Sequence, residues 1–396
     1  MWITNAKILD VVTGEIRKDA AVKVDKFGLI SEITNSTQIS IDKNEKIIDV
    51  DGRFLSPGLI SCHTHLSVVF PFSLTDEHEK PAITAFRAAQ RAAEALKAGM
   101  TTIRCVHEQN QVDLALRNAA KAGWFEGPRI FGAGRAISTP TGHGEGAGCS
   151  YAKDFDGFYK AAIGEFEAGA DHIKIFITGG LAKAGESSDD SEMTDEEISG
   201  AVKAAKEHES YVVAHAGESK AIMQALKLGV TSFEHGYSLD VATAEALAGA
   251  GAFLTPTLCV TRSESWMREK GFEEASIQNA LAVSDRHLES TKNAIKAGVT
   301  LINGTDYPPG DMVDGIPAAL HELFLMNKAG LSTIKSLQSI TSNAALLLKQ
   351  ENFLGQIKPK FVGDFIATKG NPLDDLENLR EIDLIIQSGR TIKEIA

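Results

Sequence analysis

His63-Thr64-His65 is the first place in the chain where residue types and spacing point to chemistry. Residues i and i+2 of a strand face the same side, so both imidazoles would offer nitrogen donors at one height. Alone, such a pair is more often one core ring and one loop ring. His215, His235 and Asp306 alter that balance, because each closes a short apolar, β-branched stretch. Four imidazoles and a carboxylate at strand ends form a donor set suited to divalent transition metals. Lys174 adds a sixth group. It stands within His172-Ile-Lys-Ile-Phe-Ile-Thr178, where an inward ammonium would be costly without partners. Burial lowers a lysine pKa, and a neutral amine can add CO2 to give a carbamate whose two oxygens bridge two cations. The competing reading keeps Lys174 as an ammonium paired with an acid such as Asp306.

Short strands alternating with helices would bring these groups to one rim. Candidate strands lie at 55–65, 101–106, 129–134, 172–177, 211–216, 232–236, 253–258 and 300–306. Ala98-Gly99, Ala122-Gly123, Ala168-Gly169, Leu228-Gly229, Ala250-Gly251 and Ala297-Gly298 punctuate the chain before β-rich stretches, as glycines ending helices do. Thr194-Asp-Glu-Glu197 reads as a capping box opening a helix with Ile198, Val202 and Ala205 on its inner face. The alternation predicts an α/β fold, a (β/α)8 TIM barrel with its site at the carboxyl ends of the strands. A doubly wound sheet is the rival, but Gly132-Ala133-Gly134 lacks the rest of a dinucleotide fingerprint. Residues 1–55 and 355–396 alternate as short strands and are expected to join in a small composite β-sheet domain, with 56–354 as the catalytic barrel. Helical text over 316–350 leads to the second flank.

The 396 residues carry 40 Lys+Arg and 53 Asp+Glu, a formal charge of −13. That balance argues against nucleic acid or an anionic membrane as partner and leaves a small-molecule substrate. No apolar run approaches the ~20 residues of a membrane helix. The opening Met-Trp-Ile-Thr-Asn has no basic or apolar leader pattern, and four scattered cysteines make no metal or disulfide spacing. A cytoplasmic protein is expected. Acidic barrels of this size often self-associate, so a homo-oligomer is an open expectation.

Read in order, the motifs resemble the amidohydrolase superfamily. These are Ser56-Pro57-Gly58-Leu59-Ile60 before His63-Thr-His65, Ile173-Lys174-Ile175 with Thr178-Gly179-Gly180, and Val213-Ala214-His215-Ala216. Glu234-His235-Gly236, Gly304-Thr305-Asp306, and Gly363-Asp364-Phe365 with Asn371-Pro372-Leu373 complete the set. The resemblance is narrower to the zinc-dependent dipeptidases that cleave Xaa-Pro and related N-acyl amino acids, and more distant to imidazolonepropionase. It implies two divalent cations, zinc by family habit, with His63, His65 and Asp306 on one, His215 and His235 on the other, and carboxylated Lys174 between them. It further implies that Asp306 accepts a proton from the attacking water and passes it to the leaving nitrogen. His143, in Thr141-Gly142-His143-Gly144, and Tyr237 fall where the family meets substrate.

Two departures from the family pattern stand out. After the second strand, relatives continue Arg-Asp and a glycine-rich turn, whereas this chain has Arg104-Cys105-Val106-His107-Glu108. Arg104 would pair either with a substrate carboxylate or within the core. His215-Ala-Gly-Glu218 is the arrangement of the family's deaminases, in which Glu218 would shuttle protons; such enzymes lack the bridging lysine, and Glu218 would equally suit a helix start. The leading expectation is a metal-dependent hydrolase cleaving an amide C–N bond of a dipeptide or N-acyl amino acid. The alternatives are a heterocyclic amine deaminase and a non-catalytic barrel, the latter disfavoured because all six candidate ligands are present. The loop Glu186–Glu192, the other histidines (His107 among them), and Trp266-Met267 read as surface, core or pocket wall without a decisive signal.

Overall fold

At Gly58 the chain leaves one sheet and enters another. In the computed structural model, which describes residues 1–40, 45–181 and 186–395, Phe54–Pro57 pairs with Trp2–Leu9 and with Phe365–Thr368. Leu59–Thr64 then starts the parallel strands, so the stretch 55–65 is two strands and not one. Glycine permits the break, because a Cβ at this point would lie 2.2 Å from Thr101 Oγ1 on the neighbouring strand.

Three parallel strands, β1 (Leu59–Thr64), β2 (Met100–Cys105) and β3 (Arg129–Gly132), form one arc. A second arc holds β4 (Ile173–Phe176), β5 (Val212–Glu218), β6 (Ser232–Ser238), β7 (Phe253–Thr255) and β8 (Thr300–Leu301). The arcs meet at both seams. Asp171 N donates to Gly132 O at 2.7 Å, and Cys62 N donates to Asn303 O at 2.8 Å. Four of the expected strands are shorter than their apolar text, the last two most of all. Pro256 has no N–H to continue the ladder, so β7 stops at Thr255. Beyond β8 the backbone is irregular yet bonded, with Thr305 N on His63 O at 2.9 Å. That irregular stretch carries Asp306 across the end of β1.

Helices cover the arcs as the punctuation implied. The glycines at 99, 123, 169, 229, 251 and 298 all have positive φ, between 65° and 106°. At Thr194 the capping box forms in both directions, its hydroxyl accepting from Glu197 N and Glu197 accepting from Thr194 N. Ile198, Val202 and Ala205 of that helix are buried with Ile175, Ala214 and Ile222 in the main core.

The terminal strands form one sheet in the order 390–393, 382–387, 365–368, 54–57, 2–9, 16–24 and 30–35, with 47–49 also on 2–9. Its side chains alternate. Ile366 and Ile385 join the main core, whereas Phe365, Ala367, Leu384 and Ile386 point into a second cluster with Ile3, Val22 and Leu55. Arg129 pairs with Asp364 at 2.7 Å, and Gln387 Nε2 donates to Thr101 O at 2.9 Å, fixing this sheet under the first arc. No described helix is long and apolar enough to cross a membrane.

Gly58→Ala should lower the thermal unfolding midpoint, because overpacking of this kind costs about 1–3 kcal/mol. An unchanged midpoint in a circular dichroism melt would show that the break between the sheets does not need glycine.

Candidate metal centre and active site

The ends of β1, β4, β5 and β6 and the stretch after β8 bring the six expected donors into one pocket, together with His143 and Tyr237. Asp306 Oδ1 lies 2.9 Å from His63 Nε2 and 3.0 Å from His65 Nε2. The His63 and His235 ring centroids are 5.1 Å apart, and those of His215 and His235 are 4.5 Å apart. One ligand atom each from His63, His235 and Asp306 falls within 4.8 Å of the others. His215 belongs to the same wall but stacks on His143, with centroids 4.3 Å apart.

Each imidazole is tied by one nitrogen. His63 Nδ1 meets Glu234 at 2.6 Å, and His65 Nδ1 donates to His107 O at 3.0 Å. His215 Nε2 donates to Gly179 O at 3.0 Å, and His235 Nδ1 pairs with Thr257 Oγ1 at 2.7 Å. The opposite nitrogens are left for the pocket or for Asp306. Ligand histidines are held in this way, since the outer hydrogen bond fixes the tautomer and the ring orientation. Burial holds the pKa of His215 and His235 well below the usual value, so both rings keep a lone pair. Burial would raise Asp306, but His63 and His65 beside it outweigh this and keep the carboxyl ionised.

Lys174 is 1% exposed, and its Nζ has no hydrogen-bond partner among the described residues. Burial lowers its pKa to about 8, against the opposing pull of Glu234 and Asp306. The donor set therefore fits divalent cations: the neutral His215 and His235 rings, an ionised carboxylate and an amine without a hydrogen-bond partner among the described residues share one pocket with His63 and His65.

Two strained residues aim the donors. Ser232 and Glu234 both reach Arg104, so they share the interior face of β6. Regular alternation would turn His235 away, but its φ of 69° swings the ring back toward His63. Asp306 has a φ of 62°. Left-handed backbone costs a non-glycine residue about 1–2 kcal/mol, and here it falls on two candidate ligands.

Arg104 does not face substrate. It is wholly buried, with Nη2 on Glu234 at 2.7 Å, Nη1 on Ser232 Oγ at 3.2 Å and Nε on Cys62 O at 2.5 Å. Burial would raise the Glu234 carboxyl, but Arg104 and then His63 hold it below the usual range. Glu234 thus orients His63, a role the sequence signalled only as opposite charges inside two apolar strands.

Glu218 caps a helix. Its two oxygens accept from Ala221 N and Lys220 N, each at 2.7 Å, and it lies outside the pocket that holds the histidines. That position agrees with the helix-start reading of Glu218 and gives the proton-shuttle alternative no support. His143 Nδ1 meets Glu186 at 2.7 Å, so the acidic loop packs onto the site instead of being solvated along its length. Tyr237 stacks on His235 with centroids 5.1 Å apart; burial raises its phenol well above the usual value, leaving a hydrogen-bond donor. The facing wall is apolar: Val68, Phe72, Val260, Met267, Phe272 and Ala280. Trp266 lies behind it, stacked on Tyr307 at 3.8 Å.

The pattern of the Amidohydrolase family matches residues 54–392. Ochratoxinase of Aspergillus niger is 28% identical over 366 residues, spanning 83% of this chain and 72% of that protein. A solved prolidase complexed with N-methylphosphonate-L-proline is 26% identical, with a TM-score of 0.90 over 99% of both chains. A Xaa-Pro dipeptidase with methionine bound in its active site is 28% identical, with a TM-score of 0.88 over 99% of both chains.

Arg104→Met should destabilise the protein by about 3–5 kcal/mol in urea unfolding, because it strands a buried carboxylate. Lys292→Met, which cuts the exposed pair with Glu289, serves as the control and should leave the transition in place. Equal effects of the two changes would contradict the buried bridge.

Proposed function

This chain belongs to the amidohydrolase family, and from that premise we propose that it hydrolyses an amide C–N bond in a dipeptide or N-acyl amino acid. The observation that carries the reading is Lys174: buried, without a hydrogen-bond partner among the described residues, and electrostatically coupled to Asp306, His215 and His235. We read the paired arcs as a (β/α)8 barrel over 56–354, with the composite sheet from 1–55 and 355–396 as its second domain. His63, His65 and Asp306 would hold one cation and His215 and His235 the other, zinc being the expected metal. Lys174 would bridge them as a carbamate, its amine adding to CO2 with release of one proton. Bound cations would polarise the amide carbonyl and acidify water at the site.

The chain's own groups supply the remainder. Asp306 takes a proton from the attacking water and delivers it to the leaving nitrogen, a base that becomes an acid. Tyr237, protonated at neutral pH, donates to the substrate carboxylate, and His143 lines the same pocket beside His215. Apart from Lys174, no lysine or arginine lines the described pocket. The Phe72, Met267 and Phe272 side therefore suits a bulky uncharged group and disfavours an acidic one. A cytoplasmic setting is consistent with four cysteines that form no disulfide.

Zinc-loaded protein should cleave N-acyl amino acids and dipeptides carrying aromatic or branched groups, with kcat/KM roughly tenfold or more above acidic analogues. Ammonia release from heterocyclic amines without amide cleavage would contradict the proposal.

A further inference from the structure

The His107-Glu108 turn, which follows β2, encloses the backbone behind His65. Regular β1 pairing ends at Thr64, opposite Cys105, so the N–H groups that follow His65 have no strand partner. Glu108 supplies one. Its Oε1 accepts from Leu66 N at 2.6 Å, and its Oε2 accepts from Ser67 N at 2.6 Å and from Ser67 Oγ at 2.5 Å. The carbonyls of the same three-residue stretch are taken from the other side. Arg91 Nη1 donates to Leu66 O at 2.8 Å and to Val68 O at 2.6 Å, and Arg87 Nη1 donates to Ser67 O at 2.6 Å.

The turn is itself anchored. Glu108 N donates to Gly134 O at 2.8 Å, and His107 Nδ1 accepts from Ala136 N at 3.1 Å. His107 Nε2 donates to Ala147 O at 2.9 Å in the pocket loop, while its carbonyl holds His65 Nδ1. One dipeptide therefore fixes both the ring of His65 and the main chain that follows it. Ser67 and Glu108 are fully buried, so loss of the carboxylate leaves buried donors that water does not reach.

We propose that Glu108 is a positioning residue, which sets the backbone after His65 so that this ring and the Val68–Phe72 wall keep their places in the pocket. The proposal rests on the reading of His65 as a cation ligand. Glu108→Gln keeps the shape but turns an amide NH2 toward one of the donors. Added cobalt(II) is the probe, with affinity read by chelator competition and geometry read from visible absorption. The expected result is a roughly 10–100-fold weaker affinity for cobalt(II) and a changed absorption spectrum, with the protein still folded in circular dichroism. A role confined to stability would lower the melting midpoint and leave spectrum and affinity at wild-type values, which would overturn the proposal. His65→Ala runs alongside. If it binds cobalt(II) as the wild type does, the ligand reading fails, and that failure is distinct from a silent Glu108→Gln beside an impaired His65→Ala. Should Glu108→Gln not fold, Ser67→Ala is scored by the same criterion, with a smaller change in the same direction expected.

Discussion

Glu234 accepts from Arg104 on one oxygen and meets His63 with the other, in an interior where a lone carboxylate would cost several kcal/mol. This bridge lets a full positive and a full negative charge sit beneath the pocket with every side-chain nitrogen and oxygen hydrogen-bonded. It also fixes the direction of His63, because Nδ1 is committed to Glu234 and only Nε2 is left for Asp306. The other imidazoles follow the same arrangement with different outer partners: a carbonyl for His65, a carbonyl for His215 and a hydroxyl for His235.

Directed donors are held against local backbone preference. His235 and Asp306 occupy left-handed conformations that are costlier than helical or extended backbone, and the surrounding packing keeps them there. Strand pairing sets His235 opposite Ala216 of β5, while Thr305 N and Asp306 N both donate to His63 O, locking the last candidate ligand to the first. Tying the end of the chain's parallel strands to their beginning makes the site a property of both arcs together. Two apolar clusters then divide the work. One supports the strands, and the other, around Trp266 and Tyr307, supports the pocket wall.

Local signals in the sequence were legible where local physics decides. Small residue–glycine pairs marked helix ends because only glycine takes positive φ cheaply there, and the Thr194 capping box needed four residues and no tertiary context. That His63, His65 and Asp306 share one pocket could be read because donor type and nearness to a strand end suffice, although Asp306 itself lies in the irregular stretch beyond β8. The break at Gly58 could not, since it depends on Thr101 and on a partner strand some 300 residues away. Glu108 looked like a departure and His107 like an incidental histidine, because their roles lie in hydrogen bonds to Leu66, Ser67 and His65. The pocket wall was hidden for another reason: Phe72, Met267 and Phe272 sit in irregular segments without periodicity.

Everything proposed about the chemistry depends on Lys174 joining two cations, and metal content reads that directly. Elemental analysis of wild type and Lys174→Ala, both prepared with bicarbonate and excess zinc, is the decisive measurement. About two zinc ions per chain in the wild type, falling in the variant, is the predicted result. A single ion in both proteins would contradict the bridging lysine and the two-cation site with it.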